Sequence, residues 1–536
     1  MSAMTSHSRL LNTILMAAAT LAVAHAAAPG ITGPTFNLTA QAASLTQPDG
    51  AAIYSWGYGC NGAPSGYAPA AITTRFCNAM QVPGPTLIVT EGQSVSVTLT
   101  NGLPAAAGNT SILFPGFQVT TSCSAPTPVG VQGLLTCEAV HSGTVTYTFT
   151  ASSPGTRAYY SGTQSDFQIE MGLYGAIIVL PSTPGGTSGC PSIIATNDSA
   201  RGTWGEGNFR LAAAAYDHPR TCYDREYLFQ FSEIDPNVHQ QALAQSTRTC
   251  TGCMQVPTEP YHPAYFLING RSMPDNMDPN YAAEYPHQPY NGNPHMHPGE
   301  LTLLRIIGQG RWQHPFHEHG NHVRVLARDG NLILSSTAAG EQNLAGPLLF
   351  TTTTTPGLAM DGIFYWTAKG LNWDAYGHNP ASSDANAKLP CNPDANGYNT
   401  GDPTAINYFE WCQDHNKPLQ VNPFGDVPSG GPATLPDPNL FTNGPWFGGS
   451  PYLGPDATTR ATFGTCTGTN NTTSCGTTGT TPPSGTIANN PSSEAGFAFM
   501  WHSHNEREIT TNNIFPGGML MMMLVDSREF VIDESN

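Results

Sequence analysis

Hydrophobic and polar positions alternate with period two through much of the chain. Residues 83–102, "PGPTLIVTEGQSVSVTLTNG", alternate on both sides of "EGQ", which predicts a β-hairpin. "GTVTYTFTA" at 143–151 predicts another half-buried strand, whereas "GLYGAIIVLP" at 172–181 is a continuous β-branched run suited to a strand buried on both faces. These segments frame a first β domain over 35–185. The same grammar returns in "REYLFQFSEID", "YFLINGRSMPD", "GELTLLRII", "HVRVLARDGNLIL" and "GIFYWTAKG", short strands parted by Gly, Asn and Asp turns, which predict a second β domain over 200–375. From 376 to 492 the periodicity dissolves into Pro, Gly and Thr-rich sequence, read as an insertion. "GFAFMWHSH" and "GGMLMMMLV" then resume strand character, so 493–530 is expected to complete the second domain.

Composition narrows the class. The 536 residues exceed one ordinary core, and 56 Gly and 46 Pro suit a loop-rich all-β chain. With 19 Lys and Arg against 37 Asp and Glu, the net charge of −18 repels phosphate backbones and excludes a nucleic-acid partner. Residues 1–26 carry a weakly basic start, an apolar stretch and a small-residue "AHA" end, the pattern of a secretory signal peptide. No later run is long enough to span a bilayer, so a secreted or periplasmic location is expected after cleavage. All 12 Cys follow that segment, an even count that in an exported chain predicts disulfides. Cys391, Cys412, Cys466 and Cys475 would pin the insertion covalently. "CTGC" at 250–253 reads as disulfide-forming Cys, with a redox or metal pair as the alternative.

The chemistry concentrates in histidine. "HPFHEHGNH" at 314–322 and "WHSHNERE" at 501–508 place six of the 17 His in two short stretches. In a strand, alternate side chains share a face, so His317 and His319 point the same way about 7 Å apart, as do His502 and His504. Two such strands side by side offer four imidazoles to a metal between them, a donor set that suits Cu, Zn, Fe or Ni. His314, His322 and the upstream His295 and His297 of "PHMHPGE" are further candidate ligands, with Glu508. Each has a structural alternative as a strand-start or turn residue. Met519, Met521, Met522 and Met523 read as an apolar strand rather than as soft ligands.

These motifs resemble the multicopper oxidase branch of the cupredoxins. "VPGPTLIVTEGQSVSVTLTNGL" is similar to the opening of that family's first domain, "GLYGAIIVLP" to its closing strand, "HPFHEHG" to its HPxHxHG motif, and "WHSH" followed by "GGM" to its C-terminal HCH motif. The resemblance implies tandem cupredoxin-like Greek-key β-sandwich or barrel domains and copper as cofactor. It also implies one type 1 copper that takes electrons from substrate, and a three-copper cluster, held by four HxH pairs, that reduces O₂. Departures are specific. Leu113, Phe114 and Pro115 stand where the family has HWHG, and Ser161, Gly162 and Thr163 where it has HSH, so both first-domain pairs are missing. Ser503 stands at the type 1 thiolate and Glu508 at its second His. His314 matches the first type 1 ligand, and Met519 aligns with the axial one if several residues are inserted. A serine alcohol does not replace the copper–thiolate bond, which excludes an ordinary type 1 centre.

What the resemblance leaves is a half cluster of His317, His319, His502 and His504, able to hold one or two metal ions. One reading is an altered copper oxidoreductase acting with O₂ on metal ions or phenolic compounds. Another is a non-enzymatic copper-binding or extracellular structural protein. A third is a mononuclear Zn or Cu hydrolytic site with Glu318 or Glu508 as base.

Overall fold

The computed structural model of the chain describes residues 28–414, 497–525 and 532, except 69–76, 78, 124–129, 368, 370–389 and scattered positions within 193–205, 337–341 and 403–406. The expected signal peptide and most of the 376–492 insertion, with Cys466 and Cys475, lie outside the described residues.

Two β-sandwiches make up the described chain. In the first, one sheet runs Gly155–Tyr160, Tyr174–Leu180, Leu87–Thr90, Gly30–Thr32, Tyr67–Ala68, and the facing sheet runs Ala52–Cys60, Thr35–Thr46, Ser94–Asn101, Thr144–Thr150, Thr120–Thr121. Alternation decides the inward face: Val95, Val97 and Leu99 of Ser94–Asn101 are buried while the residues between them are not, and Val97 lies opposite the buried Tyr147.

The predicted hairpin is a correction. Leu87–Thr90 and Ser94–Asn101 do follow one another through Glu91–Gln93, but they belong to opposite sheets. Leu87–Thr90 pairs in parallel with Tyr174–Leu180, and Ser94–Asn101 pairs in parallel with Thr35–Thr46. The turn is an arch across the sandwich, with Gly92 at φ 85° taking the left-handed conformation that a side chain would resist. Alternation reports which face of a strand is buried; it carries no information about which strand lies beside it.

The expectation for Tyr174–Leu180 holds. Ile177 and Val179 enter the first core, while Ala176 and Ile178 turn outward and meet Leu228, Ile307 and Ala359 of the second sandwich. Each fully buried aliphatic here contributes roughly 1.5–3 kcal/mol, so the strand belongs to two cores at once. Beside it Asp361 is buried, accepting from Thr156 N at 3.1 Å, Thr156 Oγ1 at 2.6 Å and Tyr216 OH at 2.5 Å, with the Arg305 guanidinium 3.6 Å away.

The second sandwich packs a sheet ordered Tyr265–Ile268, Arg225–Ile234, Leu301–Gly308, Ala359–Tyr365, Val323–Arg328, Asn331–Leu332 on one ordered His295–Met296, Leu520–Val525, Phe497–Ser503, His314–Glu318, Thr351–Thr354. Trp501 fills the centre, edge-on to Phe364, Phe316 and Phe229 at 5.0, 6.1 and 6.4 Å. Met519, Met521 and Met523 are buried in the same core, in keeping with an apolar strand. Among the described residues five disulfides join Cys60–Cys77, Cys123–Cys137, Cys190–Cys222, Cys250–Cys253 and Cys391–Cys412, the last inside the described part of the insertion.

Candidate metal centre

The two histidine stretches meet. His314–Glu318 and Phe497–Ser503 are antiparallel neighbours with His317 directly opposite His502. Phe316 and Trp501, one residue earlier on each strand, point into the core, so period two sends the imidazoles to the other face. The His317 ring lies 4.8 Å from that of His319, 5.5 Å from His502 and 4.8 Å from His504. His319 and His502 approach to 3.3 Å between their Nε2 atoms. One ring nitrogen each of His317, His319 and His502 falls within 4.8 Å of the other two, near enough to share one ion.

Neighbours orient these rings. His317 Nδ1 is 2.8 Å from Thr351 Oγ1, and His502 Nδ1 is 2.7 Å from its Ser503 carbonyl. A carbonyl only accepts, so His502 carries its proton on Nδ1 and presents a free Nε2 lone pair to the cluster. Trp501 Nε1 donates to the His319 carbonyl at 2.8 Å, tying the two strands where the ligand pairs start. Burial, then the neighbouring rings, pushes His319 down to about 3, and burial lowers His502 as well, so both are neutral at ordinary pH. His317 and His502 are buried, His319 is half-buried and His504 is exposed, which leaves the centre one open side.

The further candidates go elsewhere. His295 lies opposite Leu524, while His502 lies opposite Leu520, so His295 is two strands over and four residues along, about 13 Å in strand rise alone. His297 Nε2 contacts Glu206 Oε2 at 2.9 Å inside a buried group with Arg225 and Glu300, and burial is outweighed there by Arg225 and His297 so that Glu206 is held down to about 2. His322 packs on Phe350 at 5.4 Å, with Phe350 itself 5.8 Å from His317. Glu318 points away from the imidazoles; burial raises its carboxyl to about 8, and it accepts from Thr352 Oγ1 at 2.6 Å.

His314 and Glu508 form a different centre. His314 Nε2 donates to Glu233 Oε2 at 3.0 Å, and its Nδ1 lies 2.9 Å from Glu508 Oε2, an ion-pair contact at an angle poor for a hydrogen bond. Ser503 Oγ donates to Glu508 Oε2, and Asn505 Nδ2 to Glu508 Oε1 at 2.9 Å. Glu233 Oε1 also accepts from Arg311 N, Trp312 N and Tyr261 OH at 2.6, 2.9 and 3.2 Å, and Tyr261 OH reaches Glu170 Oε2 at 2.6 Å. Burial opposes charge on His314, but the two carboxylates outweigh it and lift the imidazolium to about 9. A protonated ring has no lone pair for a metal. Met519 closes this centre: its N–H donates to Glu508 O at 2.8 Å, and its carbonyl accepts from Ser503 N at 2.9 Å.

The positions of the missing first-domain pairs hold half-buried Leu113, Pro115 and Tyr160 and the buried Gly162. Leu113 lies opposite Tyr160, as His317 lies opposite His502, so the register puts Tyr160 and Gly162 on the shared face and shifts the expected "SGT" by one residue. Phe114 is buried among Tyr147, Phe149 and Tyr159. Ser111, Thr163, Ser161, Thr110 and Gln168 satisfy one another, with contacts of 2.9 Å for Ser111–Thr163 and 2.7 Å for Ser161–Gln168. Glu233, Tyr261, Glu170 and Thr351 were missed from sequence; a Glu inside the apolar run "YLFQFSEI" was the one local sign.

Residues 69–184 match a family model described as multicopper oxidase. Laccase-3 of Botryotinia fuckeliana is 36% identical over 97 residues, which are 18% of this chain and 20% of that protein, so the match spans a fifth of the laccase's length. Among solved structures, the multicopper oxidase mgLAC is 14% identical with a TM-score of 0.41, covering 92% of this chain and 85% of that one. The blue copper oxidase of Nitrosomonas europaea is 14% identical with a TM-score of 0.40, covering 91% and 85%. The family model thus places a multicopper oxidase domain in the first sandwich, and the second sandwich carries the facing HxH strands that resemble that family's motifs.

Proposed function

We propose that the chain is an exported copper protein in which His317, His319, His502 and His504 hold one or two copper ions, and that it acts as an oxidoreductase on metal ions or phenolic compounds with O₂, without a type 1 centre. The observation that carries this reading is the facing register of His317 and His502 with their partners two residues on. The donor set fits copper: His317, His319 and His502 converge, two of them kept neutral by their surroundings, with the exposed His504 ring 4.8 Å from His317 on the open side. Copper bound there would supply one-electron redox chemistry and an open coordination position. The protein's own part is orientation: Thr351 and the Ser503 carbonyl set the rings of His317 and His502, and Trp501 locks the strand pair. The charge of −18 supports cationic substrates by long-range attraction.

Electron entry takes a route other than the family's usual one, because the type 1 position holds Ser503, Glu508 and the His314 imidazolium. That observation also favours a second reading, a copper-binding protein without oxidase activity. One experiment separates them: copper content by elemental analysis of the mature protein and of the His317→Ala/His502→Ala variant, with O₂ uptake recorded beside it. One to two coppers lost in the variant together with O₂ uptake supports the oxidoreductase. Copper without uptake supports the binding protein, and no copper after loading refutes both.

A further inference from the structure

The Cys250–Cys253 disulfide sits in a loop after the helix Pro236–Gln245 and takes no part in the histidine centre. Cys250 is the one exposed cysteine among the described residues, and Cys253 is half-buried. The other disulfides span 14 to 32 residues of chain, whereas this one spans three, so it removes the least entropy from the unfolded chain. The loop is also closed without it. Gln245 Nε2 donates to Gln255 O at 2.8 Å, and Gln255 N donates back to Gln245 Oε1 at 2.9 Å. Gly252 N and Met254 N donate to the carbonyls of Ala105 and Ala106 at 2.9 and 2.8 Å, which seats the loop on the first sandwich. Gly252 has a φ of 64°, so the tight turn between the two sulfurs is set by the backbone. A crosslink that adds so little to the fold invites a chemical role.

We infer that Cys250–Cys253 is an exchange-active disulfide, a two-electron centre separate from the histidine site, whose reaction partner is a small-molecule thiol. The geometry assigns the two sulfurs different parts. A thiolate attacks the sulfur of the exposed residue Cys250, forms a mixed disulfide there and releases Cys253 as the thiolate. Arg248 Nη1 donates to the Cys253 carbonyl at 3.2 Å, which holds a guanidinium on the backbone of the residue whose sulfur departs. A nearby cation stabilises a thiolate and so speeds its departure. A second thiol then attacks the mixed disulfide. The balance is two small thiols oxidised to one small disulfide, and one protein disulfide reduced to two thiols. The loop keeps its hydrogen bonds throughout.

The test uses the folded full chain in mixtures of reduced and oxidised glutathione, quenched with acid, alkylated and mapped by peptide mass. Cys250 and Cys253 are expected to reduce at least tenfold faster than the other four described pairs. Cys253→Ser is expected to trap glutathione on Cys250. Arg248→Gln is expected to slow the reaction severalfold at unchanged Tm, and a rate that it leaves unmoved overturns the assignment of the leaving sulfur. The inference fails if this pair reduces only with the others or only under denaturant. It fails equally if Cys250→Ser/Cys253→Ser lowers Tm as far as Cys190→Ser/Cys222→Ser does, since the bond would then be a staple.

Discussion

His314 makes the protein's stability fall on the alkaline side. Its ring is fully buried between Glu233 and Glu508 and is lifted from an ordinary 6.5 to about 9. A histidine raised in the folded state contributes stability that is complete below the unfolded value and disappears as pH climbs through the folded one. At 1.36 kcal/mol per unit, the contribution is about 3 kcal/mol below pH 6.5, about 2–3 kcal/mol at pH 7 and close to zero at pH 10. Against a typical total of roughly 5–15 kcal/mol, this is a visible share. The assay is urea unfolding of the metal-free protein at pH 7 and pH 10, run beside His314→Gln. Wild type is expected to lose about 2–3 kcal/mol more than the variant between the two conditions. His314→Gln should also be the less stable protein at pH 7, because two buried carboxylates lose their shared cation. If the gap between the proteins is the same at both pH values, His314 is neutral in the fold and the reasoning is wrong.

Other consequences are open to direct measurement. Thr351→Val removes the partner of His317 Nδ1 and should weaken copper binding about tenfold in a competition titration while leaving Tm within about 2 °C. Ser503→Cys alone should not produce the intense visible absorption of a copper–thiolate bond after copper loading, because Glu233 still holds His314 protonated; Ser503→Cys/Glu508→His/Glu233→Gln should, and a blue single variant would contradict the assignment of His314. Asp361→Ala leaves Thr156 and Tyr216 without their acceptor between the sandwiches, while Arg305 keeps Glu226 at 2.9 Å, so it should cost about 2–4 kcal/mol in chemical denaturation; a loss under 1 kcal/mol would mean that the sandwiches hold together through apolar packing alone.

The sequence carried the parts of this protein that depend on neighbours along the chain. Strand positions, inward faces and the HxH spacing all follow from period two, and the pairing of His317 with His502 follows once two such strands are adjacent. Pairing between distant strands is a different kind of information, which is why the arch at Gly92 read as a hairpin. The same boundary separates the candidate ligands. His317, His319, His502 and His504 carry their evidence in their own spacing and do come together. His297 and His314 have similar local surroundings, but their partners are Glu206, 91 residues away, and Glu233, 81 residues away.

Replacing a metal-binding thiolate by serine would by itself leave a cavity bordered by an imidazole, and a buried polar group without a partner costs about 1–3 kcal/mol. The observed centre avoids that cost. Glu508 accepts from Ser503 and Asn505 and pairs with His314, while Glu233 takes the other side of the ring. Two substitutions relative to the family motif and one retained residue therefore act as one unit: Ser503 needs an acceptor, Glu508 needs a cation, and His314 supplies it by holding a proton where the motif implies copper. The first-domain positions follow the same logic: Leu113 packs on Gly162, where an added Cβ would fall 2.8 Å from Leu113 Cγ, beside the mutually bonded Ser111, Thr163, Ser161, Thr110 and Gln168. Where the motif's ligands are missing, the space has been rebuilt with paired or packed groups. At His317, His319, His502 and His504 it has not, and four imidazoles crowded on one face, two of them kept neutral, are hard to account for by packing alone. Their survival beside two rebuilt centres is the strongest argument that this one still binds metal.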